Sequence, residues 1–110
     1  EYCELCGVFS HLASSESADF SFTKLQLERF LEATDWFNQR SLEMPLRHLA
    51  NSGGILQHPS THFDLVRPGI MLYGVYPGDE VQKTVNLKPV LSFKTRVVFF
   101  KVVKKGAGVG

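Results

Sequence analysis

The sequence lacks the features that mark several large classes of protein. None of its apolar runs approaches the roughly 20 residues of a membrane-spanning helix, so we expect no membrane segment. Its 12 basic and 11 acidic residues leave a net charge of +1, which is no electrostatic footprint for nucleic acid. The remaining composition, 44% hydrophobic and 21% charged, is typical of an ordinary globular protein.

Signatures of metal and nucleophile chemistry are also scarce. The two cysteines, Cys3 and Cys6, form one CxxC motif without a second ligand pair, and alternation along a strand would place them on opposite faces. We therefore expect two free thiols in a reducing cytoplasm. No GxSxG motif occurs, so serine hydrolysis is unsupported. His58 and His62 fall in a predicted loop, where we expect them to be solvated, and we predict no metal site.

Hydrophobic periodicity predicts a buried strand over residues 5–12 and a helix over residues 21–38. Ser21 or Thr23 is the expected side-chain cap of this helix. The helix should bury a single stripe of side chains spaced at helical intervals. The stripe consists of Leu27, Phe30, Leu31, Thr34 and Phe37.

Further elements alternate along the chain, which predicts an α/β fold with a parallel sheet over residues 1–76. Residues 77–86 are predicted to be a linker, and residues 87–110 are predicted to start a second domain of antiparallel β structure. The shorter predicted elements are strands at 44–50 and 63–66, one helical turn at 55–56 and a short helix at 70–73. Because such a chain cannot close a sheet, we expect it to be a piece of a longer protein.

Polar side chains recur where the predicted strands end. Ser10 and His11 end the first strand, Asn51 and Ser52 follow the second, and Arg67 follows the third. Sites in parallel α/β folds gather at the carboxyl ends of strands. Three polar strand ends therefore suggest a shared ligand pocket.

The glycine-rich turns indicate which kind of ligand the predicted pocket binds. Gly69 and Ile70 begin a predicted helix, where backbone N–H groups bind phosphate well, and the Ser52 hydroxyl can donate to the same anion. An arginine side chain is rarely buried without a partner. We therefore expect a carboxylate, a phosphate or a ring nitrogen to face Arg67. The alternatives are an ordinary turn at Ser52 and a structural core histidine at His48.

Four stretches, "GVFSHLASSE", "FTKLQLERF", "HLANSGGI" and "FDLVRPGIMLYG", resemble bacterial alanine racemases in order and spacing. The resemblance implies a pyridoxal 5′-phosphate enzyme, with the C-terminal portion of a TIM-like (β/α) barrel over residues 1–76 and the start of a C-terminal β-strand domain over 87–110. It also implies a cytoplasmic homodimer that makes D-alanine for peptidoglycan. The "FSHLASSE" form resembles versions fused to a peptidoglycan-synthesis ligase.

By this resemblance, Ser52, with the backbone N–H groups of Gly69 and Ile70, binds the cofactor phosphate, and Asn51 lies in the same turn. Arg67 resembles the arginine that faces the pyridine nitrogen, and His11 and His48 resemble the two histidines that contact it. The family's catalytic bases, a lysine upstream and a tyrosine downstream, have no counterpart in this sequence.

Two alternatives share this fold. A non-catalytic pyridoxal phosphate-binding barrel would lack the β-rich stretch after residue 87, so that stretch argues against it. A related amino-acid racemase or decarboxylase differs mainly in substrate residues outside this sequence, so the choice between alanine and serine stays open.

Overall fold

A computed structural model describes residues 2–108, and its helices and strands alternate along the chain. This order is the predicted α/β arrangement, although both strands are shorter than predicted. Neither helix within the described residues has the length and apolar character needed to cross a bilayer. The elements are strand β1 (Gly7–Phe9), helix α1 (Ser21–Gln39), strand β2 (Leu46–His48), helix α2 (Ser52–Gln57) and 3₁₀ helices at Pro59–Thr61 and Ile70–Tyr73.

An acidic residue just before helix α1, Asp19, accepts a hydrogen bond from the first residue of the helix. The carboxylate of Asp19 accepts the Ser21 N–H at 2.9 Å, whereas the N-cap residue, Phe20, makes no side-chain cap. The prediction that Ser21 or Thr23 caps the helix is therefore wrong, and Thr23 is instead buried. Hydrogen bonds from Ser21 hold the pKa of the Asp19 carboxyl below its ordinary value, which keeps a negative charge near the positive end of the helix.

The predicted apolar stripe of α1 faces inward over most of its length. Phe30 and Thr34 are buried, and Leu27 packs against the core, but Leu31 is largely exposed, contrary to prediction. The buried Thr34 hydroxyl donates to the Phe30 carbonyl oxygen at 2.9 Å, which satisfies its polar group inside the helix.

Strands β1 and β2 pair in parallel, with Val8 opposite Arg47. A parallel pair needs a crossover between its strands, and α1 supplies it. The same helix therefore fixes which edge of the sheet carries both carboxyl ends.

The predicted third strand, residues 63–66, is not a strand. Phe63 has a φ of 48°, in the left-handed region, so the backbone cannot be extended there. The chain nevertheless follows β2, because Asp64 N–H donates to the Arg47 carbonyl oxygen at 3.1 Å. The Asp64 carboxylate in turn accepts the Arg47 N–H at 2.8 Å and so replaces a backbone acceptor.

The core lies where α1 packs over the two strands. Leu12, Phe30 and Leu49 form its buried cluster, and the rings of Phe30 and Phe63 lie 5.3 Å apart. Burying one such side chain contributes roughly 1.5–3 kcal/mol. This cluster holds the loop after β1 and the residues after β2 in fixed positions.

The predicted linker packs against α2. Gln82 N–H donates to Gln57 Oε1 at 3.0 Å, and the Thr84 hydroxyl donates to the Leu56 carbonyl oxygen at 3.0 Å. These contacts tie the linker to the C-terminal end of α2.

Residues 87–108 contain no strand, so the predicted antiparallel β structure is not formed within them, and their assignment as the start of a second domain stays a prediction. A strand needs a hydrogen-bonding partner, and residues 87–108 are hydrogen-bonded to the earlier part of the chain only through the Val90 N–H, which donates to the Tyr73 carbonyl oxygen at 3.3 Å. The last two residues of the "GAGVG" run, Val109 and Gly110, lie outside the described residues.

Candidate functional site

The carboxyl ends of β1 and β2 open onto one cleft of about 220 Å³. Of the eight residues singled out for the site, six line this cleft, His48 contacts Arg67, and Ser10 lines a separate groove. Parallel pairing brings these segments to one edge of the sheet, as expected for a ligand site in an α/β fold. The cleft is lined by His11, Ser15, Glu16, Asn51, Ser52, Gly53, Arg67, Gly69, Ile70 and Pro77.

Arg67 is held at the cleft by acceptors from both strands. Its Nη2 donates to the Ser10 carbonyl oxygen at 2.6 Å, and its Nη1 donates to the His48 carbonyl oxygen at 2.8 Å. Nη1 also contacts Nδ1 of the His48 ring. The partners of this half-buried guanidinium are thus carbonyl oxygens and a ring nitrogen, so its positive charge remains available to a ligand.

The His48 ring has a defined role in this cluster. Arginine can only donate hydrogen bonds, so Nδ1 of His48 must accept, and a neutral ring then carries its proton on Nε2. The ring stacks on Phe9 at 5.1 Å with an interplanar angle of 8°, and the guanidinium carbon of Arg67 lies 5.3 Å from the same phenyl ring. Packing and hydrogen bonding together orient Arg67.

The side chain of Asn51 caps the N-terminus of helix α2. Its backbone is extended, and its Oδ1 accepts the Gly54 N–H at 3.1 Å. The predicted single turn at residues 55–56 is part of this longer helix. The cap places Ser52 at the first helical position, facing the Gly69 turn.

Ser52 and Gly69 meet directly. The buried Ser52 hydroxyl oxygen accepts the Gly69 N–H at 2.9 Å and the Met71 N–H at 3.3 Å. Because both bonds use oxygen lone pairs, the Ser52 proton points away from these N–H groups and can be donated to an anion. Ile70 lines the cleft as the first residue of the 3₁₀ helix.

His11 lies at the cleft but is not among the hydrogen-bonding partners of Arg67. The side chain is exposed, while the His11 carbonyl oxygen accepts Gln26 Nε2 at 3.0 Å. Gln26 Oε1 also accepts the Ala13 N–H at 3.0 Å. Helix α1 therefore fixes the backbone on both sides of Leu12 and leaves the imidazole free to face a ligand.

The expectation that His58 and His62 are solvated is wrong. His58 is only 8% exposed, its Nε2 lies 3.2 Å from the Ser15 carbonyl oxygen, and its ring packs edge-on against Phe20. Burial lowers the pKa of His58, and the hydrogen bond with Ser15 partly opposes this shift. His62 is half-buried, with Nε2 3.2 Å from the Ile55 carbonyl oxygen.

Sequence reasoning missed Ser15 altogether. Its hydroxyl donates to Asn51 Oδ1 at 2.6 Å, and the side chain is fully buried. Nothing in the sequence distinguishes it from the neighbouring Ser14, because the interaction joins residues 36 positions apart.

A larger groove of about 390 Å³ lies between β1 and α1. Four phenylalanines dominate its lining, and Ser10 is the only residue of the predicted shared pocket that lines it. Ligand sites combine apolar walls with a few convergent polar groups, so the smaller cleft is the candidate site.

The fold and the cleft define the class of protein. This is an α/β protein with a parallel strand–helix–strand unit and a polar ligand cleft at the carboxyl edge of its strands. Within that class, residues 1–77 match the family model described as alanine racemase, N-terminal domain, and the chain belongs to this family.

Curated relatives agree with this assignment. The chain is 45% identical over 101 residues to an alanine racemase of Clostridium tetani, covering 91% of this chain and 26% of the relative. It is 47% identical over 104 residues to that of Syntrophobacter fumaroxidans, covering 94% and 28%. The chain thus spans about a quarter of the length of these relatives.

Solved structures of the family are similar as well. An alanine racemase of Clostridium difficile matches with a TM-score of 0.77 and 32% identity, over 81% of this chain and 24% of that one. The Bartonella henselae alanine racemase, which holds covalently bound pyridoxal phosphate, matches with a TM-score of 0.63 and 40% identity, over 78% of this chain and 23% of that one.

Proposed function

We propose that the complete protein carrying this chain is an alanine racemase that interconverts L- and D-alanine with pyridoxal 5′-phosphate and supplies D-alanine for peptidoglycan. The observation that carries this proposal is the pairing of a fixed arginine with a serine–glycine turn in a single cleft. Family membership and the pyridoxal phosphate in the Bartonella henselae relative support the choice of cofactor.

The donor groups of the cleft suit the two ends of this cofactor. The Ser52 proton and the Ile70 N–H would bind its phosphate, as donors at the start of a helical turn do elsewhere. The Gly69 N–H, which donates to Ser52 Oγ at 2.9 Å, would exchange that acceptor for the phosphate. Arg67 would face its ring nitrogen, and His11 would lie beside the ring. We assign the start of the second domain to residues 87–110 and the cofactor barrel to residues 1–76.

Pyridoxal phosphate, when bound, supplies an electron sink conjugated with the α-carbon of the substrate. Arg67 can only donate hydrogen bonds, so a ring nitrogen beside it stays unprotonated and the sink is weaker than with an aspartate partner. His48 keeps the guanidinium in place by accepting from it. By keeping that nitrogen unprotonated, Arg67 would favour return of a proton to the α-carbon of the substrate, and therefore racemisation over transamination. The two bases lie in other parts of the complete protein.

Replacement of the arginine tests this function. In the complete protein, Arg67→Glu should lower the racemisation rate by about tenfold to a hundredfold, the scale of a hydrogen bond to a charged group, and should increase pyruvate formed by transamination. Arg40→Glu is the matched control, since Arg40 is exposed at the end of α1 and stacks on Trp36.

Circular dichroism can follow the conversion of L- to D-alanine, and coupled assays can follow pyruvate. Absence of racemase activity in the unaltered protein would contradict the proposal. An unchanged rate and product ratio in Arg67→Glu would contradict the role of Arg67.

We further propose a cytoplasmic homodimer. The exposed free thiols of Cys3 and Cys6 agree with a reducing compartment. Sedimentation of the complete protein tests the dimer. The mass of the intact polypeptide distinguishes a separate racemase from the ligase fusion that the "FSHLASSE" stretch suggests.

A further inference from the structure

Ser15, in the loop after β1, contacts both ends of α2. Its hydroxyl donates to Oδ1 of the N-cap residue Asn51 at 2.6 Å. Its carbonyl oxygen lies 2.7 Å from Nε2 of Gln57 and 3.2 Å from Nε2 of His58, at the other end of the helix. One buried residue therefore fixes both ends of a six-residue helix that is too short to be stable by itself.

The contact with Ser15 also orients the Asn51 amide. Oδ1 of Asn51 accepts from Ser15 and from the Gly54 N–H, while Nδ2 donates to the Leu12 carbonyl oxygen at 3.1 Å. If the Asn51 amide were flipped, its NH₂ group would face the Gly54 N–H, so that two donors would oppose each other. Its oxygen would face the Leu12 carbonyl oxygen, so that two acceptors would oppose each other. The amide thus has a single favourable orientation, and it is the one that caps α2.

The close approach of the loop to α2 depends on Gly53. A Cβ atom at this position would lie 2.5 Å from Ser15 Oγ and 2.9 Å from the Ser15 carbonyl carbon. Since the second of these neighbours is backbone, any larger residue must push the loop away. Gly53 and Ser15 therefore form a matched pair next to Ser52.

We propose that Ser15 is a positioning residue for the phosphate-binding turn. By holding Asn51 and the start of α2, it sets the Ser52 hydroxyl 2.9 Å from the Gly69 N–H, with its proton directed toward the cofactor phosphate. This inference rests on the proposed function and adds a residue from a separate segment. It implies that Ser15 affects binding of the phosphate group and not of the pyridine ring.

Ser15→Ala in the complete protein tests the proposal, because it removes the hydroxyl and leaves the buried volume nearly unchanged. We expect the affinity of the apoprotein for pyridoxal 5′-phosphate to fall about five- to tenfold, the equivalent of one hydrogen bond. Affinity for pyridoxal, which lacks the phosphate, should stay within about twofold. Ser14→Ala is the control, since Ser14 contributes its carbonyl oxygen to the Ser17 N–H.

Ser52→Ala separates the two proposals. If the unaltered apoprotein binds no pyridoxal 5′-phosphate, the proposed function and this inference fail together. If Ser52→Ala weakens binding and Ser15→Ala does not, only the role of Ser15 is overturned. An equal loss of affinity for both ligands in Ser15→Ala would indicate general loss of structure and would also overturn it.

Gly53→Ala approaches the same contact from the helix side. We expect it to reproduce the selective loss of pyridoxal 5′-phosphate affinity, whereas Gly108→Ala, where a Cβ meets nothing within 4 Å, should not. Unchanged affinity in Gly53→Ala would count against the matched pair.

Discussion

Two regions of the molecule are similar in apolar character and opposite in burial. In the packed region, residues 7–86, Leu49 is fully buried beneath α1. In the C-terminal segment, residues 87–108, Phe100 is 85% exposed. The chain consequently has a radius of gyration of 21.6 Å, whereas a compact domain of this length has about 13 Å.

The difference shows that β-prone residues form a strand only where a partner is at hand. Strands β1 and β2 find each other because α1 returns the chain to the same sheet. The C-terminal segment has equally favourable residues, but it leaves the packed region after its contact near Tyr73. Apolar composition therefore predicts the need for burial, and the rest of the fold decides whether burial occurs.

The largest expected effect compares two core-type side chains. Leu49→Ala should lower the free energy of unfolding by about 2–5 kcal/mol, because it leaves a cavity against Leu12 and Phe30. Phe99→Ala should change it by no more than about 0.5 kcal/mol, because Phe99 is 75% exposed. Both changes in the free energy of unfolding can be measured by urea unfolding of the 110-residue chain. Trp36 fluorescence reports the transition, at a protein concentration low enough for the chain to be monomeric. Equal losses would mean that the segment is packed in solution.

Limited proteolysis tests the same contrast without substitutions. Trypsin should cleave after Lys94 and Lys101 at least about tenfold faster than after Arg29 and Arg47, because cleavage in the packed region requires local unfolding. Mass spectrometry of a time course identifies the order of cuts. Early cleavage at Arg47 would show that strand β2 opens as readily as the segment.

The sequence predicts those parts of the fold that depend on local periodicity and on parallel topology. The stripe through Phe30 and Thr34 determines the buried face of α1, and the polar ends of β1 and β2 predict that His11, Asn51 and Ser52 share a cleft. Arg67 reaches the same cleft although its predicted strand does not form. Both inferences follow from geometry that any helix or parallel sheet obeys.

Other features depend on contacts between distant residues and leave no local signal. His58 follows a turn and looks solvated, but Ser15 and Phe20, far away in sequence, cover it. Phe63 lies in an apolar run that resembles a strand, but packing against Phe30 accompanies a left-handed backbone. Pattern reasoning fails at such positions because the tertiary environment overrides local preference.

The smallest expected effect is the pH dependence of the free energy of unfolding. All four histidines lie in the packed region, so this dependence reports on that region and not on the C-terminal segment. Burial lowers the pKa of His58 in the folded chain, so the unfolded chain binds a proton more readily. Stability should therefore be complete above the unfolded pKa of about 6.5 and should fall as the pH drops through that value toward the folded pKa.

His58→Gln should flatten this slope, while His11→Gln, at an exposed position, should preserve it. Urea midpoints between about pH 5 and pH 8 measure the slope for each variant. If His58→Gln retained the full slope, the loss of stability at acid pH would have to come from another histidine. Protonation of His58 beside the Ser15 carbonyl oxygen would then not be its cause.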